Sequence, residues 1–231
     1  MKTALIVAPH PDDAEIGMGG TIAKMVNAGW SVVVVDLTDG EPTPFGSKEI
    51  RAQETQKANN ILGITQRICL DMPNRCLEST LQNRRKLAGV IRLHKPHILF
   101  APAMPDWHPD HKAALELTEA ARFEAKYHKT DLAGDPHWTP ELWLYYSMHR
   151  LDFARPSVIL DISNVWEKKL AAIKAYQSQL KNTNCSNSYS LLEKIEIAAR
   201  YFGQCINSKF GEPLLSHQPL SVNNIDFLAD L

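Results

Sequence analysis

The chain of 231 residues is 44% hydrophobic and 22% charged, enough for one substantial core, and no stretch reads as repetitive or disordered. Lys and Arg number 25 against 26 Asp and Glu, a formal net charge of -1, so no global field draws in nucleic acid or an anionic membrane, and a charged ligand has to be met locally. The N-terminal apolar run is cut by Pro9 and His10, and no stretch reaches about 18 apolar residues, so neither a signal segment nor a spanning helix is expected and the expected location is cytoplasmic.

In chain order, Thr3 to Ala8 is a continuous apolar run suited to a strand buried on both faces. Gly17 to Ala28 carries Ile22, Met25 and Val26 at helical spacing and stops at Gly29. Ser31 to Asp36, with four consecutive valines, is the strongest strand signal. Strand, helix, strand implies a right-handed parallel crossover. A loop rich in Gly and Pro, 38–47, then leads into a helix over 48–62, a strand over 67–70, a helix over 81–94 and a strand over 97–101. The following helix is expected over 109–126, with Pro109 at a first helical position, where its missing N–H costs nothing. Apolar segments follow at 142–147 and 157–162, then helices at 164–180 and 191–202, and a tail with the turn signal Phe210-Gly211-Glu212-Pro213. The expected fold is an open α/β sheet with helices on both faces, a single domain over 1–231 whose catalytic core spans about 1–162, with a helical and tail segment over about 163–231.

Two packets fall at the carboxyl ends of expected strands, where ligands of such sheets bind. The first is His10-Pro11-Asp12-Asp13, and the second is His108-Pro109-Asp110-His111. A catalytic divalent cation needs few protein ligands and an open position. His10 and Asp13 on one turn can face a single point while Asp12 stays free. Either His108 or His111 could complete the set; His111 is preferred if Pro109 starts a helix, because His108 then precedes it and faces the crevice. Two imidazoles and one carboxylate suit Zn²⁺ hydrolysis and equally an Fe(II) oxygenase. An unligated Asp12 able to take a proton, and an unligated His108 oriented by Asp110 and able to steady an oxyanion, favour hydrolysis over oxygen chemistry or a purely binding role. The four cysteines, Cys69, Cys76, Cys185 and Cys205, form no C-x-x-C pair and read as reduced thiols.

Residues 8–20, with His-Pro-Asp-Asp-x-Glu-Ile-Gly-Met-Gly-Gly, together with His108 to His111, closely resemble the LmbE-like or PIG-L family of zinc-dependent N-acetylglucosaminyl deacetylases. The resemblance extends to Asp36-Leu37-Thr38, Arg51 with Glu54, Asn74-Arg75, Lys95-Pro96 and residues 175–179, and within the family it is greatest to the deacetylases of bacillithiol synthesis, which act on N-acetylglucosaminyl malate. It implies a Rossmann-like three-layer α/β/α sandwich with a mostly parallel sheet. It also implies His10, Asp13 and His111 as ligands of Zn²⁺, with Fe²⁺ as the alternative, and Asp12 as general base. His108 supported by Asp110 becomes the electrostatic or acid partner, and Arg51 a substrate contact. The implied partners are a small amino-sugar substrate and further copies of the chain, as a trimer or hexamer. Trp107 stands where these relatives often carry Arg, Thr139-Pro140-Glu141 lacks an expected basic residue, and the C-terminal helix reads Ala198-Ala199-Arg200. These departures leave the metal packets intact and the aglycone open, with free N-acetylglucosamine, chitobiose and inositol conjugates as alternatives.

Gly17, Gly19 and Gly20, followed by Asp36, imitate a dinucleotide fingerprint, but an acidic turn sits where the pyrophosphate would lie, so close packing of the first helix on the sheet is the better reading. Arg51 and Arg75 are candidate substrate contacts, since a planar guanidinium can hold a carboxylate or hydroxyl. Trp107 could stack on a sugar face or be buried. His128, His137 and His149 show no ligand spacing that would make a second metal site.

Overall fold

The computed structural model describes residues 1–149, 155–181 and 189–219; Cys185 lies outside them. A seven-stranded mixed sheet has the order β3-β2-β1-β4-β5-β7-β6. Its parallel part comprises β1 (Thr3–Ala8), β2 (Ser31–Asp36), β3 (Gln66–Cys69), β4 (Ile98–Pro102) and β5 (Glu141–Tyr145). β6 (Val158–Asp161) and β7 (Gly211–Leu215) complete it, β7 running antiparallel to both β5 and β6.

Alternate residues of β1 and β2 explain the three layers, because successive side chains leave opposite faces of a strand. Ala4, Ile6, Val32 and Val34 pack against α1 (Asp13–Asn27), α2 (Lys48–Leu62), α5 (Trp166–Lys174) and α7 (Leu191–Gln204). Leu5, Val7, Val33 and Val35 pack against α3 (Leu81–His94) and α4 (Pro109–Ala125). Both strands are buried along their length, as their unbroken apolar runs require. No helix among the described residues is long and apolar enough to cross a membrane.

Three elements differ from the sequence expectation. α1 begins at Asp13 rather than near Gly17, and is kinked at Met18, whose φ of -147° is not helical. The expected helix over 164–180 is broken at Ala175 and Tyr176, leaving a single turn, α6 (Gln177–Leu180). The supposed turn at Phe210 to Pro213 lies at the start of a strand, β7, inside the sheet. Its Pro213 pairs only with Ile159 of β6, one residue short of where β5 pairing begins, so the missing N–H is tolerated.

Glu212 accounts for the kink and the strand together. Its carboxylate accepts hydrogen bonds from the N–H groups of Gly20 (2.8 Å) and Thr21 (2.6 Å) and from Thr21 Oγ1 (2.7 Å), capping the helix that restarts after Met18. Lys169 Nζ, 2.6 Å away and equally buried, balances its charge. The glycines of α1 serve packing as expected: a Cβ on Gly17 would run into the Tyr145 ring, and one on Gly20 would come within 2.7 Å of Ile162.

Candidate metal centre

β1 and β4 are paired neighbours, so the turns leaving their carboxyl ends bring residues 10–13 and 106–111 together. Asp13 opens α1, and its Oδ2 lies 3.1 Å from His10 Nδ1 and 3.3 Å from His111 Nε2. Donors about 2.0–2.1 Å from a tetrahedral ion sit roughly 3.3 Å apart, so this spacing suits a cation bound by all three. His111 Nε2 is buried with no hydrogen-bond partner, an uncommitted donor that a cation would satisfy.

Each imidazole is fixed from behind by a carboxylate. His10 Nε2 is 3.1 Å from Asp110 Oδ2, and His111 Nδ1 is 2.8 Å from Asp106 Oδ2. With those nitrogens donating to the carboxylates, His10 Nδ1 and His111 Nε2 converge at Asp13, where a bound cation would take the place of the protons they otherwise direct at it. Asp110 also accepts from the N–H groups of Arg75 (2.7 Å) and Leu77 (3.2 Å), and Asp106 from His108 N–H (2.7 Å) and the Ser147 hydroxyl. These commitments disfavour two overlapping clusters, His10 with His108 and Asp110, and Asp106 with His111 and His149, as primary metal sites.

The expected link between Asp110 and His108 takes another form. The Asp110 carboxylate holds His10, and only its backbone N–H reaches His108, donating to Nδ1 at 3.2 Å, so that His108 caps α4. His108 Nε2 is thereby left to carry the ring proton into the crevice. Asp106 has no sequence signal of its own, although it stands two residues before His108. His149 shows no ligand spacing in the sequence, yet its Nδ1 lies 3.4 Å from Asp106 and its ring 4.8 Å from that of His111.

The electrostatics follow from this wiring. Burial alone would lower His10, but hydrogen bonds to Asp110 and Asp13 raise it to about 9; burial is likewise overridden at His111, which Asp13 and Asp106 lift to about 10. Against the upward push of burial, His111 and His10 hold Asp13 well below the carboxylate range. Asp106 and Asp110 are lowered in the same way by their donors. His108 is lowered, first by burial and then by the charges of His10 and His111, which keeps it a neutral donor.

Asp12 differs from all of these. It is the N-cap of α1 at φ 115°, a left-handed conformation rare for a residue with a side chain, and its carboxylate makes no capping bond. Burial raises it to about 7, against the pull of Arg51, whose Nη2 lies 3.5 Å from Oδ2. Arg51 is itself buried, and its Nε and Nη1 have no partner.

These groups open on a cavity of about 410 Å³. His10, Asp12, Asp13, Arg51 and His108 line it together with other residues that include Asn74, Arg75, His149, Gln179 and Lys194. Asn74 Oδ1 is buried and unpaired. Gln179 is placed by Glu54, which clamps Ser178 at its N–H and Oγ, both at 2.7 Å. Trp107 is 74% exposed and does not line this cavity. A larger apolar cavity of about 980 Å³, between α7 and β6, shares only Lys194 with it and carries none of the candidate metal ligands.

The family model described as PIG-L, GlcNAc-PI de-N-acetylase, matches residues 5–122. The chain is 32% identical over 228 residues to diacetylchitobiose deacetylase of Thermococcus kodakarensis, covering 92% of this chain and 82% of that protein. It is 29% identical over 195 residues to 4-oxalmesaconate hydratase of Pseudomonas putida, covering 77% and 74%. It is also 29% identical over 192 residues to a Bacillus anthracis protein described as "Probable N-acetyl-alpha-D-glucosaminyl L-malate deacetylase 2", covering 77% and 81%. Among solved structures, a conserved protein of Thermus thermophilus superposes with a TM-score of 0.87 at 36% identity, covering 96% of this chain and 97% of that one.

Proposed function

We propose, from the premise that this chain belongs to the PIG-L family, that it is a metal-dependent hydrolase removing the acetyl group from an N-acetylated amino sugar. The observation that carries this is Asp12, a carboxyl beside the converging His10, Asp13 and His111 donors that neither caps its helix nor faces a ligand nitrogen. A divalent cation held by those three residues, zinc in the first instance and iron(II) as the alternative, would polarise the amide carbonyl and make a water acidic.

The chain's own groups supply the rest. Asp12, balanced near 7, accepts a proton from water and can return it to the departing amine. His108 Nε2–H donates to the developing oxyanion, its other nitrogen being held by the Asp110 N–H. Asp110 and Asp106 act as positioning residues through His10 and His111. Arg51, with two unpaired donors, together with Asn74, Arg75 and Gln179 would hold the sugar conjugate, whereas the exposure of Trp107 leaves it at most a rim contact.

N-acetylglucosaminyl malate and diacetylchitobiose are both candidate substrates, supported at similar levels by the relatives. A homo-oligomer belongs to the same reading and is checked by sedimentation. The second reading is a hydratase adding water to an unsaturated carboxylic acid, supported by the Pseudomonas relative. Acetate release from N-acetylglucosamine, its malate and inositol conjugates and chitobiose, assayed beside the loss of enoate absorbance, separates the two. Acetate with unchanged enoate is expected; the reverse result would replace the deacetylase by the hydratase.

A further inference from the structure

We infer that Tyr176 and Gly40 are positioning residues for Arg51: the ring of one and the backbone of the other clasp the guanidinium beside Asp12, so that packing holds it and its donors stay free for the substrate. The inference rests on the reading of Arg51 as a substrate contact of the deacetylase. A buried arginine is ordinarily fixed by the acceptors its N–H groups bond. Arg51 is 4% exposed and lines the cavity, yet Nε and Nη1 have no partner, and Nη2 reaches Asp12 Oδ2 only at 3.5 Å. Hydrogen bonding within the protein therefore does not set its place.

Two contacts do. The guanidinium carbon lies over the Tyr176 ring, 5.8 Å from its centroid, within the range at which a cation is held on an aromatic face, and both groups are buried, where that attraction is strongest. From the loop after β2, Gly40 approaches at φ 74°; a Cβ there would come within 2.8 Å of Nη2 and 3.3 Å of the guanidinium carbon, so the backbone itself abuts Arg51. Tyr176 is fixed in turn. Its hydroxyl donates to Glu15 at 3.1 Å, and Glu15 is paired with Arg67, which forks onto Asp36 at 2.6 and 2.9 Å. Two residues beyond Tyr176, Ser178 is clamped by Glu54, which stands on α2 three residues after Arg51. The break between α5 and α6 thus falls at the residue that makes the contact, and its two anchors reach the helix that carries Asp13 and the helix that carries Arg51. A long side chain ordered before the substrate arrives does not have to be ordered by it.

A double-mutant cycle on zinc-loaded protein tests this, read as acetate release from whichever N-acetylglucosaminide the wild type turns over. Tyr176→Leu and Gly40→Ala should each lower kcat/KM about tenfold or more, with the loss divided between kcat and KM as it is in Arg51→Ala. In the Arg51→Ala background each should cost less than about twofold, because nothing is left to position. Tyr176→Phe, which keeps the aromatic face, should retain more activity than Tyr176→Leu. Equal losses with and without Arg51, or equal losses in the Phe and Leu variants, would overturn the inference and leave the deacetylase standing. The Nε–H resonance of Arg51, assigned by its disappearance in Arg51→Lys, reads the clasp without turnover. It should move in Tyr176→Leu, and in Gly40→Ala, which decides if the Leu variant does not fold; an unmoved resonance would overturn the clasp. If the wild type releases no acetate, the deacetylase reading fails and this resonance alone decides.

Discussion

Asp12 and its neighbour Asp13 show how two adjacent carboxyls acquire opposite characters. Asp13 meets two imidazoles and is held ionised, whereas Asp12 is turned away by its left-handed backbone and raised by burial to about 7. The depressed group suits ligation and the raised one proton transfer. Activity should therefore rise with pH along an acid limb no higher than about 7, since a bound cation only lowers Asp12 further, and the residual activity of Asp12→Asn should lack that limb. The positioning carboxylates give a second prediction: Asp106→Asn and Asp110→Asn should each weaken metal binding by about 10–100-fold, read by competition with a chromogenic chelator. Unchanged affinity in both would remove the role given to them. The convergence of His10, Asp13 and His111 was suggested by the sequence, His10 and Asp13 through their spacing on one turn and His111 through Pro109 as a helix start and the family resemblance. Asp106 was not, since a residue that acts through another leaves no spacing of its own. His149 needed the fold, its partners lying on α4 and the loop before it.

At the scale of elements, the chain's first helix depends on its last described strand. Glu212 of β7 caps the helix that restarts after Met18, more than 190 residues away in sequence. Replacing it by Gln strands Lys169 as a buried, unpaired cation, and such losses cost about 3–5 kcal/mol, to be measured by urea unfolding. A cost below about 1 kcal/mol would mean that water reaches Lys169 and the cap is dispensable. Gly20→Ala should be destabilising too, by about 1–3 kcal/mol, because its Cβ would meet Ile162 at 2.7 Å. Most elements through α4 were legible as strands with an apolar run or helices with periodic burial, although α1 starts earlier than its apolar spacing suggests and β3 is only partly buried. β7 was hidden: Gly211 and Pro213 are turn residues by local preference, and only tertiary pairing with β6 makes them a strand. The break in the expected helix at Ala175 and Tyr176 was hidden for a similar reason. Tyr176 leaves helical geometry while its hydroxyl bonds Glu15 at 3.1 Å, two residues beyond the turn that carries His10 and Asp13.

For the whole molecule, the decisive feature is adjacency of β1 and β4 in a parallel sheet. Strand order β3-β2-β1-β4 reverses direction of winding at that pair, and crevices form at such switch points. Two packets about a hundred residues apart thereby share one crevice, an outcome that motif composition and alternating elements already suggested. Of the other lining residues Arg75 was a candidate from the sequence, but its meeting with Gln179 and Lys194, from three separate segments, is assembled only by the folded chain. Binding of a cation to the folded state alone should stabilise the protein by about 2.7 kcal/mol at a hundredfold excess over Kd, seen as a Tm that rises with metal and falls with chelator. The most direct measurement of the central claim is single-turnover acetate release by wild type and Asp12→Asn at equal, verified metal content. Loss of about 10²–10⁴ in rate with metal retained is the expected result. Equal rates in the two proteins would contradict the assignment of Asp12 as the proton-transferring base.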